Sequence, residues 1–120
     1  MTIHEPVLFL DGIWDWSIFD GCFGQTRIAV TDIDGLVERR GKFLVIEAKS
    51  PRTHIPTGQK IMFDALVATG FFSVLVIWGD TNKPVRAMLM NQKGVFDYSP
   101  ADVKKCRAIV SAWFQYAEER

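Results

Sequence analysis

Residues 71–78 read FFSVLVIW, a continuous apolar run rich in β-branched and aromatic side chains. A run of this kind is a strand buried on both faces, because an exposed face would show polar residues at every second position. A strand covered twice sits in the middle of a sheet with other elements packed on it. The chain has 120 residues, enough for one domain with one core. Apolar residues make up 48% and charged residues 23%, as in an ordinary globular protein. No apolar stretch reaches the ~18 residues that would span a bilayer. The opening MTIHEPVLFLDG lacks a basic start and carries acids, unlike a secretory signal. Cys22 and Cys106 show no metal-binding or redox spacing and read as two buried thiols in a reducing compartment. A cytoplasmic protein with no membrane association is the expectation.

The remaining elements follow from local pattern. Pro6–Leu10 reads as a short strand or the apolar start of a helix, and residues 12–19 as a short helix before a loop at Gly21 and Gly24. Ile28 to Glu38 reads as an extended strand, Arg39–Lys42 as a turn with Gly41 at positive φ, and Lys42–Lys49 as the return strand. A loop bounded by Pro51 and Pro56 leads to a helix with Thr57 as its cap and Gly70 as its stop. Ile61, Met62, Ala65, Leu66 and Thr69 would form its buried face. After the central strand come a turn at Gly79–Pro84, a strand over Val85–Met90 and a turn at Asn91–Gly94. Ser99-Pro100-Ala101-Asp102 reads as a helix start, with serine capping and proline in first position. Val103, Cys106, Val110, Trp113 and Ala117 then trace its inner face. The expected fold is α/β, a mixed central sheet of about four to five strands flanked by helices.

The formal net charge is zero, which argues against coating nucleic acid by charge alone. The distribution is uneven. Met1–Asp34 carries six acids and one base, whereas Arg39–Lys60 carries six bases and one acid, Glu47. A neutral total hides a basic central segment.

The stretch FLVIEAKSP (Phe43–Pro51) raises the functional question, because an apolar strand ends in a carboxylate and an ammonium. Charge next to a packed interior is costly unless it is exposed, paired or used. Period-two alternation puts Glu47 and Lys49 on one face. With the turn centred between Arg40 and Gly41, facing residues have numbers that sum to 81, so Asp34 meets Glu47 and Asp32 meets Lys49. Facing Cβ atoms lie about 4.5–5.5 Å apart. Two carboxylates that close repel unless a cation lies between them. Asp34, Glu47 and the Ala48 carbonyl form an oxygen set suited to Mg²⁺, with Lys49 beside it. Gln59, in the first turn of the next helix, leans inward above the same strand ends.

Asp34…Glu47-Ala48-Lys49…Gln59 resembles the active-site motif of the PD-(D/E)XK nuclease superfamily, and the order strand, strand, helix, strand over Thr31–Trp78 matches its core. The spacing is similar to that of small archaeal Holliday-junction resolvases and small phage-encoded members. The resemblance implies a restriction-endonuclease-like fold and metal-dependent hydrolysis of DNA phosphodiesters, structure-selective or weakly sequence-selective. Asp34 and Glu47 would bind Mg²⁺ or Mn²⁺, Lys49 would position or activate the attacking water, Gln59 would orient it, and the product would carry a 5′-phosphate. Ile33 stands where the family has proline, and Asp32 is a second candidate acid. An additional N-terminal acid, Asp11, Asp15 or Asp20, would complete the site as in many members. Arg39, Arg40, Lys42, Arg52 and Lys60 would grip phosphates flanking the cut. His54 reads as a loop residue, and Trp14 and Trp16 as core. Residue types do not separate DNA from RNA as the partner. The aromatic C-terminal helix (Trp113, Phe114, Tyr116) serves as core or as a homodimer interface. The rival reading is a non-catalytic module on the same fold that binds nucleic acid or protein.

Overall fold

The computed structural model of the protein describes residues 13–119, and the chain divides into two compact units between Thr31 and Asp32. The second unit is an open five-stranded sheet in the order β1-β2-β3-β4-β5. β1 (Gly35–Arg39) and β2 (Lys42–Lys49) form a hairpin, and β2 runs parallel to β3 (Phe72–Asp80). β4 (Lys83–Asn91) and β5 (Gly94–Tyr98) complete the sheet in antiparallel fashion. The parallel pair requires a crossover, and α1 (Thr57–Ala68) supplies it. The chain closes with α2 (Val103–Glu118). This is the mixed α/β sheet with flanking helices that the pattern predicts. No described helix is long and apolar enough to cross a membrane.

Alternation along the strands divides the core in two. Leu44, Leu75 and Ala87 point to one face and pack with Cys106, Ile109, Trp113 and Ala117 of α2. Val45, Val74, Val76, Trp78 and Met90 point to the other and pack with Phe63 of α1. β3 is therefore buried on both sides, as its unbroken apolar run requires. Around Phe63, Met62, Leu66 and Val67 line the sheet, while Ile61 and Ala65 turn outward. The inner stripe of α1 is thus rotated slightly from the expected one, and it runs through positions 59, 62, 63, 66 and 67.

The hairpin turn has φ 52° at Arg40 and 77° at Gly41. Two successive left-handed residues make the tight turn whose twist suits a hairpin. The register Arg39↔Lys42 through Gly35↔Ile46 keeps the predicted sum of 81. The first strand is much shorter than expected, since only Gly35–Arg39 is paired. β2 ends at Lys49, which in this register faces position 32, so residues before Asp32 have no ladder to join. In addition, Asp34 takes the Ala48 N–H with its side chain, at 2.9 Å. A continued ladder would have given that N–H to the carbonyl of Ile33.

Both helix starts differ from the expected ones. Pro56 is the cap residue of α1, and its carbonyl receives the Lys60 N–H, while Thr57 lies inside the helix without a capping bond. The α2 start lies further along the chain. Ala101 is buried and donates its N–H to Val85 of β4, which keeps the chain extended past Ser99 and Pro100. Asp102 is the cap instead and accepts the Lys105 N–H at 2.9 Å. Strand β5, for which the sequence pattern gives no element beyond the turn at Asn91–Gly94, pairs with β4 from Asn91↔Gly94 to Ala87↔Tyr98. β3 continues through Gly79 and Asp80, so the turn after it is confined to Thr81 and Asn82.

In the first unit, the helix expected over residues 12–19 is a single 3-10 turn, Ser17–Phe19. Asp15 accepts the Ser17 N–H, which holds the Asp15 carboxyl below its ordinary range. Trp14 is exposed and its ring lies 5.9 Å from that of Trp16, so Trp14 is not the core residue expected of it. Cys22 is exposed as well, and of the two thiols only Cys106 is buried. Pro6–Leu10 and Asp11 lie outside the described residues.

Candidate active site

Glu47 is the centre of the site because it is 9% exposed on a face that is otherwise apolar. It follows Val45 on the α1 side of β2, level with Val76 of the parallel neighbour. In open α/β sheets the ends where parallel strands finish are where ligands bind. Glu47 and Lys49 sit at that end.

One oxygen of Glu47, Oε2, accepts two bonds. Gln59 Nε2 donates from the first turn of α1 at 2.9 Å, and Lys49 Nζ donates from two residues along the strand at 3.3 Å. The Lys49 and Glu47 side chains are 9% and 12% exposed, so this pair is far drier than a surface ion pair. Lys49 is therefore bonded directly to Glu47 and is more than its neighbour on the same face. Both charges leave water at the strand end, and mutual bonding offsets the desolvation. Gln59 points inward as expected, because position 59 belongs to the rotated inner stripe of α1. Its Oε1 is buried and has no hydrogen-bond partner among the described residues.

Asp34 lies one residue before β1 and reaches the same strand end. Its Oδ2 is held by the Ala48 N–H. In a strand, the N–H and C=O of one residue point to the same neighbour. The Ala48 carbonyl therefore opens on the side where β1 has stopped. The second Asp34 oxygen and Glu47 Oε1 take no hydrogen bond among the described residues. Asp32 is exposed and lies outside β1, so no strand geometry ties it to the face of Asp34. Asp20 belongs to the first unit, directly after the 3-10 turn.

The donor chemistry fits a hard cation. No cluster of three or more His, Cys, Asp or Glu side chains that could hold a metal occurs among the described residues. Two carboxylates and a backbone carbonyl leave several positions to water, a normal arrangement for Mg²⁺ and a poor one for structural zinc. The orphaned Gln59 Oε1 beside them is an acceptor for a water or a hydroxyl.

The basic residues separate into two groups. At the hairpin tip, Arg39 and Arg40 both meet Glu118 at the end of α2. The Arg39 bond holds the Glu118 carboxyl below its ordinary range. Lys42 bonds the Glu119 carbonyl at 2.8 Å and lies over the Tyr116 ring. These three hold the sheet to the helix terminus, and Lys42 stands five residues from Glu47, about 16 Å along the strand. Arg52 and Lys60 are exposed on the site side and form no ion pair among the described residues. His54 is also exposed.

Two residues at this end carry contacts that sequence patterning did not single out. Trp78, level with Lys49 on β3, donates its indole N–H to the Thr53 carbonyl at 2.6 Å. That bond fastens the loop carrying Arg52 and His54 to the sheet. The Arg86 guanidinium stacks 4.3 Å above the Trp78 ring and is paired with Asp97. A tryptophan closing a buried strand was the available signal, since a buried indole needs an acceptor. Comparison with known family models, curated proteins and solved structures finds no match to this chain.

Proposed function

We propose that the protein is a metal-dependent endonuclease that hydrolyses phosphodiester bonds in DNA, on a restriction-endonuclease-like core of the PD-(D/E)XK type. The observation that carries this reading is the convergence of Asp34, Glu47, Lys49 and Gln59 at one strand end, with an oxygen of each carboxylate left without a hydrogen-bond partner among the described residues. A bound Mg²⁺ or Mn²⁺ would neutralise charge on the phosphate and lower the pKa of a water. Asp34, Glu47 Oε1 and the Ala48 carbonyl are the groups that would hold it.

The protein's own groups divide the remaining work. The Lys49 ammonium, bonded to Glu47, is kept at the site as a fixed positive charge for the phosphate that is attacked. Gln59 Oε1 orients the attacking water by accepting a hydrogen bond from it. The scissile phosphate lies at the open strand end, with Arg52 and Lys60 on flanking phosphates. The water adds to phosphorus and releases a proton to solvent, the P–O3′ bond breaks and the 3′ oxygen takes up a proton from solvent as a hydroxyl, and the 5′ end keeps the phosphate. One site cuts one strand, so a structure-selective or nicking activity follows for the monomer.

The test is cleavage of supercoiled plasmid and of a four-way DNA junction in Mg²⁺, Mn²⁺ or EDTA. Cleavage requires the metal and falls about 100-fold or more in Glu47→Ala and in Lys49→Ala. Binding without cleavage under every metal would support a non-catalytic module instead.

A further inference from the structure

On the opposite face of the sheet from Glu47, at the other end of β3, a cavity of about 460 Å³ opens between the strands and α2. Its volume is in the range of small-molecule sites. Phe71, Leu89, Tyr98, Ile109 and Trp113 give it an apolar, largely aromatic wall. Its charged lining residues are Lys93 and Lys105, and no carboxylate lines it. Lys105 lies 4.7 Å from the centre of the Tyr98 ring, and neither lysine forms an ion pair with a described residue.

One buried polar group in the wall also lacks a partner among the described residues. Trp113 is 5% exposed, and its indole N–H has no acceptor among the described residues. Buried donors are almost always satisfied, so unpartnered ones beside a cavity are an opening for an acceptor. Aromatic walls, two lysines without ion-pair partners among the described residues and a spare indole N–H together describe a ligand with a flat apolar body and an anionic end.

We propose that this cavity is a binding site for a small aromatic carboxylate, with its ring against the aromatic wall and its carboxylate towards Lys93 and Lys105. The site is separate from the proposed nuclease centre and needs neither metal nor nucleic acid.

Isothermal titration calorimetry with 2-naphthoate tests it, with neutral 2-naphthalenemethanol as the comparator. Saturable one-site binding is expected, about tenfold tighter for the acid than for the alcohol. The exposed pair Lys93→Gln/Lys105→Gln should remove that preference. Ala112→Phe, on an exposed helix position that lines the cavity, should abolish binding while circular dichroism stays native. Glu47→Gln should bind as the wild type does. No saturable heat, equal affinity for acid and alcohol, or full binding in Ala112→Phe would each overturn the proposal.

Discussion

Gln59 donates its side-chain amide to Glu47 across 2.9 Å and so joins the first turn of α1 to the end of β2. The bond reaches a carboxylate that is nearly dry, where a hydrogen bond to charge is worth about 1.5–3 kcal/mol. Gln59→Leu should therefore lower unfolding free energy by about that amount in urea titrations. Combined with Glu47→Gln, the two changes should be less than additive, with a coupling of about 1–2 kcal/mol. Strict additivity would mean that the two side chains do not interact.

Asp34 and Glu47 predict a metal response that is independent of catalysis. A cation bound only by the folded state raises stability by mass action, by about 1.4 kcal/mol at ten times its dissociation constant. Titrated Mg²⁺ should raise the melting temperature of the wild-type protein. It should leave Asp34→Asn and Glu47→Gln unchanged. An equal rise in all three would place the cation elsewhere.

The hairpin was legible because a two-residue turn fixes its register, which runs to Gly35↔Ile46 and leaves Asp34 and Glu47 next in line at the strand end. The length of β1 was not legible, since it depends on where β2 ends and on an Asp34 side chain replacing a ladder bond. The Lys49–Glu47 contact was missed for a related reason. Strand alternation gives a side chain its face but not its partner there. The start of α2 gives the most direct test of local against tertiary control. Ser99 and Pro100 have the right local chemistry, yet the Ala101 bond to Val85 moves the cap to Asp102. Asp102→Ala should then cost about 1 kcal/mol and Ser99→Ala close to nothing. Chemical denaturation of the two variants decides it, and the reverse order would restore Ser99 as the cap.

The two cysteines should separate by reactivity. Burial, assisted by the charge of Asp102, pushes the Cys106 thiol above its ordinary pKa. A raised thiol pKa means less thiolate at a given pH, and the thiolate is the nucleophile. At pH 8 iodoacetamide should label the exposed Cys22 quickly and Cys106 slowly in the native protein. The difference should close in denaturant. Equal native rates, followed by peptide mass spectrometry, would contradict the buried setting of Cys106.

Gly79 is where the sheet tolerates least change. It follows Trp78 at a register shift between β3 and β4, with φ 158°. A Cβ there would lie 2.3 Å from the Lys83 carbonyl oxygen and 2.7 Å from the Pro84 Cα. Both are backbone atoms of the adjacent strand, so no side-chain rotation relieves the clash. Gly79→Ala must push β4 from β3 beside Trp78, which holds the loop over the candidate site. A loss of about 1–3 kcal/mol follows from overpacking of this kind. Gly58→Ala is the control, since a Cβ at Gly58 meets nothing within 4 Å. Thermal melts should show Gly79→Ala well below wild type and Gly58→Ala at or above it. In the Gly79→Ala variant, hydrogen exchange at Thr53 and its neighbours should rise as Trp78 loses its hold.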